Sequence, residues 1–156
     1  MSRDTTIIEL VKKIKALETD QARSIEAQEA LRESEERFRL ISETIQVGVF
    51  ETDEHGSCLY TNTRWQELFE LTLVESLTVE WLDYVHEADR ARVSECWHRA
   101  LTDFETVDED FRIVSAGGRE SWVHLHSAPV FNDDGARYTG TIEDITQRKR
   151  SEAALK

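Results

Sequence analysis

Few residues of this 156-residue chain could do chemistry, and most of them are scattered. His124 and His126 stand two apart in Trp122-Val123-His124-Leu125-His126. On a strand that spacing sends both imidazoles to one face, where they could bind a metal or change charge near neutral pH. No third ligand accompanies them, and a half-buried pair at an interface is the plainer reading. Cys58 and Cys96 are too few for a disulfide framework and fit no metal spacing, which points to a reduced, cytoplasmic setting. Asp108-Glu109-Asp110 reads most simply as a solvated approach to a strand. There is no glycine-rich phosphate loop, nucleophile elbow, metal-ligand cluster, kinase motif or nucleotide-cyclase motif. A stand-alone enzyme therefore finds no support in the sequence. The clearest mechanistic residues are Asp144-Ile145-Thr146, where an alternating run passes into a charged helical stub. Thr146 could cap that helix, its oxygen accepting from free N–H groups of the first turn. Asp144 could accept from the same groups or pair with Arg37 or Arg39.

These residues need a sheet to position them. Residues 111–115, 120–130 and 138–145 alternate, and are separated by Gly117-Gly118 and by Asn132-Asp133-Asp134-Gly135. Such clusters mark hairpins, since their turns need backbone angles that glycine adopts cheaply. Upstream, residues 47–52 and 57–62 read as two more strands around Asp53-Glu54-His55-Gly56, without a clean buried face. Residues 64–70 read as a short helix with Trp65, Leu68 and Phe69 on one side. Residues 71–80 suggest only short turns. A longer helix over 88–103 should bury Val93, Cys96, Trp97 and Leu101. The expected class is α+β, a five-stranded antiparallel sheet with the short helices and one longer helix packed on one face. In the central strand of the C-terminal segment, Val123, Leu125 and Ser127 should face the helices and any cavity, leaving Trp122, His124 and His126 outward.

Charge divides the chain. Residues 1–46 carry 8 basic and 10 acidic side chains, residues 47–144 carry 7 and 21, and residues 145–156 carry 4 and 1. So acidic a body repels phosphate backbones, which argues against nucleic-acid binding. No apolar run approaches the roughly 20 residues needed to span a bilayer, and no signal peptide opens the chain. Across residues 5–45 nothing breaks a helix, which would be roughly 60 Å long. Ile7, Leu10, Ile14, Leu17, Leu31 and Phe38 fill a and d positions of one heptad register, with Gln21, Ser24, Gln28 and Glu35 at the others. The expectation is a parallel coiled-coil homodimer, since an unpaired helix of this length is marginal in water. The alternative is a solvated charged helix lying partly on the domain.

Several segments in this order resemble the PAS domain, a sensory module of signalling proteins. Ser34-Glu35-Glu36-Arg37-Phe38-Arg39 looks like its lead-in helix and Tyr60-Thr61-Asn62 like the end of its second strand. Trp81-Leu82-Asp83-Tyr84-Val85-His86-Glu87-Ala88-Asp89-Arg90 is similar to its approach to the long helix, with Glu87 where the family usually has proline. Phe111-Arg112-Ile113, Trp122-Val123, Asp134-Gly135 and Gly140 resemble its C-terminal PAC segment, and Asp144-Ile145-Thr146 its exit motif. The resemblance covers about residues 33–150. It implies a helix over 1–45, a sensory domain over 46–146 and a linker helix from 147. It further implies a downstream effector of histidine kinase or diguanylate cyclase type, and a helix or second subunit against the outward sheet face.

Cofactor signatures of the family are missing. Neither cysteine lies in the flavin-binding motif, and Val93 stands where the haem branch has histidine, with His98 offset. Any ligand is therefore an unidentified small molecule. Pocket candidates are Trp65, Phe69, Trp81, Val93, Trp97 and Phe111, with Ile113, Leu125 and Tyr138, though aromatics so spaced also suit a plain core. Tyr60, Asn62 and Ser127 are the polar groups best placed to orient a ligand. The relay to the effector would run through Asp144, Ile145 and Thr146. The runner-up function is a ligand-free dimerisation and spacer module that sets helix register.

Overall fold

The computed structural model describes residues 3–155. Helix α1, Arg3–Thr44, is followed by strands β1, Gly48–Thr52, and β2, Cys58–Thr61. Short helices α2, Thr63–Phe69, and α3, Leu73–Thr78, lead through a 3-10 turn, Trp81–Tyr84, into α4, Glu87–Asp103. Then come β3, Val107–Val114, β4, Glu120–Asn132, β5, Gly135–Asp144, and the exit helix α5, Thr146–Ala154. Every strand pair is antiparallel, in the order β2-β1-β5-β4-β3. The class is α+β, as the alternation and turn residues led one to expect.

The chain falls into two compact units that divide between Ile41 and Ser42. The first is the greater part of α1, which no glycine or proline interrupts. Its six apolar seam residues are 46–67 % exposed, and Ile8, Val11 and Ile25 beside them are exposed as well. In proteins most helical stability comes from packing an amphipathic face rather than from propensity.

The second unit is built on one core. Trp65, Phe69, Trp81, Trp97, Phe111 and Tyr138 are all buried in a single apolar cluster between the helices and the sheet. Trp81 meets Trp97 edge to face, and Trp65 stacks on Phe69 with centroids 4.1 Å apart. Each such side chain, fully buried, contributes about 1.5–3 kcal/mol, so these aromatics dominate the packing energy. Close packing needs a gap in β5: a Cβ at Gly140 would lie 2.6 Å from the Phe50 ring and collide with the His126 carbonyl.

Two elements and one buried stripe differ from the sequence reading. β3 begins at Val107, so Asp108-Glu109-Asp110 lies inside the strand rather than before it. Val107, Phe111 and Ile113 are buried, while Asp108 and Asp110 sit at the opposite parity, against partners on β4 and α5. Residues 73–78 form a true helix because Thr72 and Glu75 make a reciprocal capping box, with bonds of 3.2 and 3.0 Å. On α4 the buried stripe is Asp89, Val93, Trp97 and Ala100, with Cys96 and Leu101 only half-buried.

Asp89 explains how an acid joins that stripe. Its carboxylate accepts from the Arg112 backbone N–H at 2.9 Å and from the guanidinium at 3.0 and 2.9 Å. The His86 N–H donates to the Arg112 carbonyl at 2.9 Å, and Val85 bridges Ile113. The outer edge of β3 is thus engaged by the start of α4. Hydrogen bonding to Arg112 outweighs burial and holds the Asp89 carboxyl down from 3.8 to about 2.

A depressed carboxyl stabilises the fold above its unfolded pKa, and that stability is lost as pH falls through the folded value. Urea midpoints taken from about pH 4 down to about pH 2 should therefore decline less steeply in Asp89→Asn than in the unaltered chain. An identical slope would assign acid sensitivity to other carboxylates.

Candidate functional site

Two constellations bear on function: the aromatic interior, and the junctions where helices meet the sheet. In the interior, Phe50, Cys58, Trp65, Phe69, Trp81, Leu125 and Ile142 enclose a cavity of about 10 Å³. That is room for about one water molecule. Four pocket candidates, Trp65, Phe69, Trp81 and Leu125, meet there. Val93, Trp97, Phe111, Ile113 and Tyr138 pack in the surrounding cluster. Tyr138 Oη donates towards the carbonyls of Ala100 and Leu101, each at 3.2 Å. Burial pushes the Cys58 thiol up to about 11, reinforced by the charges of Glu80 and Asp53. Ser127 is 1 % exposed and its hydroxyl has no hydrogen-bond partner among the described residues.

The other polar candidates are occupied by the chain itself. Asn62 Oδ1 accepts from Val49 N at 2.8 Å and Trp65 N at 3.0 Å. Its Nδ2 donates to the carbonyls of Ser42 at 2.5 Å and Val47 at 3.1 Å. Tyr60 Oη lies 2.5 Å from Ser42 Oγ. Asn62 thus caps α2 and fastens the last turn of α1 to β1. An asparagine just ahead of a helical run is a capping signal, so this role was legible in Asn62-Thr63-Arg64-Trp65.

The second junction lies where β5 ends. Ile145 is buried and its N–H donates to the Trp122 carbonyl at 2.8 Å. The Trp122 N–H donates to Thr146 Oγ1 at 3.0 Å, and that hydroxyl donates to Asp144 Oδ1 at 2.6 Å. Asp144 Oδ1 also accepts from the Thr146 N–H at 2.9 Å. Thr146 therefore does not cap α5 with its oxygen as its position suggested: the oxygen faces β4, and Asp144 serves the first helical N–H instead. Farther along α5, Lys149 Nζ stands 4.9 Å over the Trp122 ring and 3.3 Å from Asp110 Oδ2. Arg148 reaches the same carboxylate at 3.4 Å.

His124 and His126 lie outward on β4, as their parity required. His124 is wedged between Asp108 and Asp110, whereas His126 is 54 % exposed and 3.9 Å from Asp108. Among the described residues no group of three His, Cys, Asp or Glu side chains could hold a metal ion, and no helix is long and apolar enough to cross a membrane.

Comparison with known proteins agrees with this architecture. A family model described as the PAS fold matches residues 36–145. A protein of Sinorhizobium fredii, y4lL, is 35 % identical over 126 residues, covering 80 % of this chain and 15 % of that protein. Sporulation kinase C of Bacillus subtilis is 27 % identical over 129 residues, covering 78 % of this chain and 28 % of the kinase. Among solved structures, a sensory box histidine kinase/response regulator from Burkholderia thailandensis superposes with a TM-score of 0.59 at 26 % identity, covering 76 % of this chain and 92 % of that one. The chain thus spans less than a third of the curated relatives it matches.

If the Thr146 hydroxyl joins α5 to β4, Thr146→Val should cost about 1–2 kcal/mol in urea unfolding, because the Trp122 N–H loses its acceptor. Hydrogen exchange at that amide should quicken, and Thr146→Ser should restore it. Unchanged exchange in the valine variant would contradict the assignment.

Proposed function

The chain belongs to the PAS family, and we propose that it is a sensory, signal-transducing domain whose sheet biases an effector through α5. The observation that carries this reading is the double tie at Trp122: both polar groups of one β4 residue are bonded at the start of the exit helix. A shift of β4 therefore reaches α5 without an intervening flexible segment. A coupling of only about 1–3 kcal/mol suffices to bias an effector. The small share of its curated relatives that the chain covers supports an effector encoded in further sequence, of the histidine kinase or diguanylate cyclase type. In this reading residues 1–45 are the signalling segment, 46–146 the sensor and 147–156 the beginning of the linker, in a cytoplasmic setting, with residues 1, 2 and 156 outside the described residues.

The exposed seam of α1 supports a homodimer through a coiled coil. Sedimentation of the chain should give a dimer that Ile14→Asp with Leu17→Asp converts to monomer. A monomer in the unaltered chain would defeat that assignment.

A second reading, a ligand-free spacer that sets helix register, is favoured by the cavity of about 10 Å³. Native mass spectrometry and an absorbance scan separate the two, since a retained small molecule or chromophore excludes the spacer. For the relay, Asp144→Ala and Thr146→Ala in the full-length protein should each abolish most of the effector's response while the domain stays folded. Output and response both unchanged would remove the proposal.

A further inference from the structure

The outer sheet face carries an ion cluster that the backbone relay does not use. His124, one-third exposed, points both ring nitrogens at carboxylates. Nε2 is 2.6 Å from Asp108 Oδ1, and Nδ1 is 2.6 Å from Asp110 Oδ1. A neutral imidazole has one N–H and one lone pair. It could donate in one of these contacts but would turn the lone pair on the other carboxylate. Only the doubly protonated ring satisfies both together.

The charged groups around this ring come from several elements. β3 supplies Asp108 and Asp110; β5 supplies Glu143, opposite His124 in register. From α5, Lys149 and Arg148 reach Asp110 Oδ2, and from α4 Arg92 donates to the Asp110 carbonyl at 3.1 Å. On β4 itself His126 stands 3.9 Å from Asp108. Asp110 is therefore shared: Oδ1 meets the histidine and Oδ2 meets the exit helix. Partial burial raises its pKa, but hydrogen bonds from His124 and Lys149 outweigh that and leave it below the ordinary value.

We propose that His124 is a proton-operated latch that sets how firmly α5 is held on the sheet, making the domain's output responsive to pH. As imidazolium it bridges Asp108 and Asp110 and competes with Lys149 and Arg148 for the Asp110 carboxylate. When the proton leaves to solvent, Asp108, Asp110 and Glu143 lose a compensating charge, and Asp110 turns its full charge to Lys149 and Arg148. The neutral ring is the form that holds α5 more firmly. The hold is weaker on the acidic side, where the ring keeps its proton, and grows as that proton is lost. At this exposure the effect is screened, and should fade as salt is raised.

The inference rests on α5 as the output element, but its test needs no effector. In the 156-residue chain at low salt, NMR would follow the His124 ring, the Arg148 and Lys149 amides and the Trp122 indole from about pH 5.5 to about pH 8.5. The α5 and indole signals should shift with the midpoint of His124, and exchange protection in α5, corrected for intrinsic rates, should rise about threefold or more on the basic side. His124→Gln should abolish the transition, His126→Gln should leave it, and Lys149→Gln should leave the His124 titration while uncoupling α5. Alpha-helical signals that ignore the His124 midpoint, or a transition that survives His124→Gln, overturn the latch. Neither result touches the relay at Thr146, which is read in effector output at fixed pH.

Discussion

The peptide groups of Trp122 are the constraint around which the α5 end of the domain is arranged. On one side Trp122 pairs with Arg112 of β3, and Arg112 is itself held by Asp89 and His86 at the start of α4. On the other side Trp122 meets Ile145 and Thr146 at the start of α5. Directional bonds thus tie α4 to β3 and α5 to β4. The ladder bonds of the residues flanking the Arg112–Trp122 pair join β3 to β4 and complete the series. The indole ring lies close to both the Arg112 guanidinium and the Lys149 ammonium. Hydrogen bonds fix geometry more sharply than apolar contact does, so a displacement at one end of the series is passed on rather than absorbed. Movement of α4, whose Trp97 and Val93 pack into the core, is the obvious way to load it.

Much of this was legible in the residues because it rests on period and turn chemistry. Gly117-Gly118 and Asn132-Asp133-Asp134-Gly135 located the hairpins, and the alternation through β4 correctly separated Leu125 and Ser127 from His124 and His126. What escaped depends on partners distant in sequence. The acidic start of β3 looks like solvent-exposed chain until His124, Lys149 and Arg92 are brought beside it by pairing. The direction of the Thr146 hydroxyl depends on Trp122, 24 residues away. Asn62 is a different case: its capping role could be read locally, as could the Thr72–Glu75 box. The size of the interior cavity has no sequence signature, since it depends on how Trp65, Trp81 and Trp97 settle against one another and their neighbours.

That interior frames the question of input. With the aromatics packed this closely, a ligand of any size would have to displace side chains, and the displaced groups would include Trp65 and Trp81, which sit between the sheet and the short helices. An input at the outer face needs no such rearrangement. Both proposed routes lead to the same helix, one through the backbone of β4 and the other through the side chain of Asp110.

The edges of the sheet carry a last consequence. β2 is only four residues long, and on β3 the outward backbone groups of Arg112 are taken up by His86 and Asp89 and the Asp110 carbonyl by Arg92, beside a run of acids. Neither offers a long, flat, unpaired strand as a template for another chain. Any assembly that α1 brings about would hold two sheets at high local concentration, where strand-by-strand polymerisation is the standing hazard. The protected edges let the domain be crowded against its own copy without beginning a fibre.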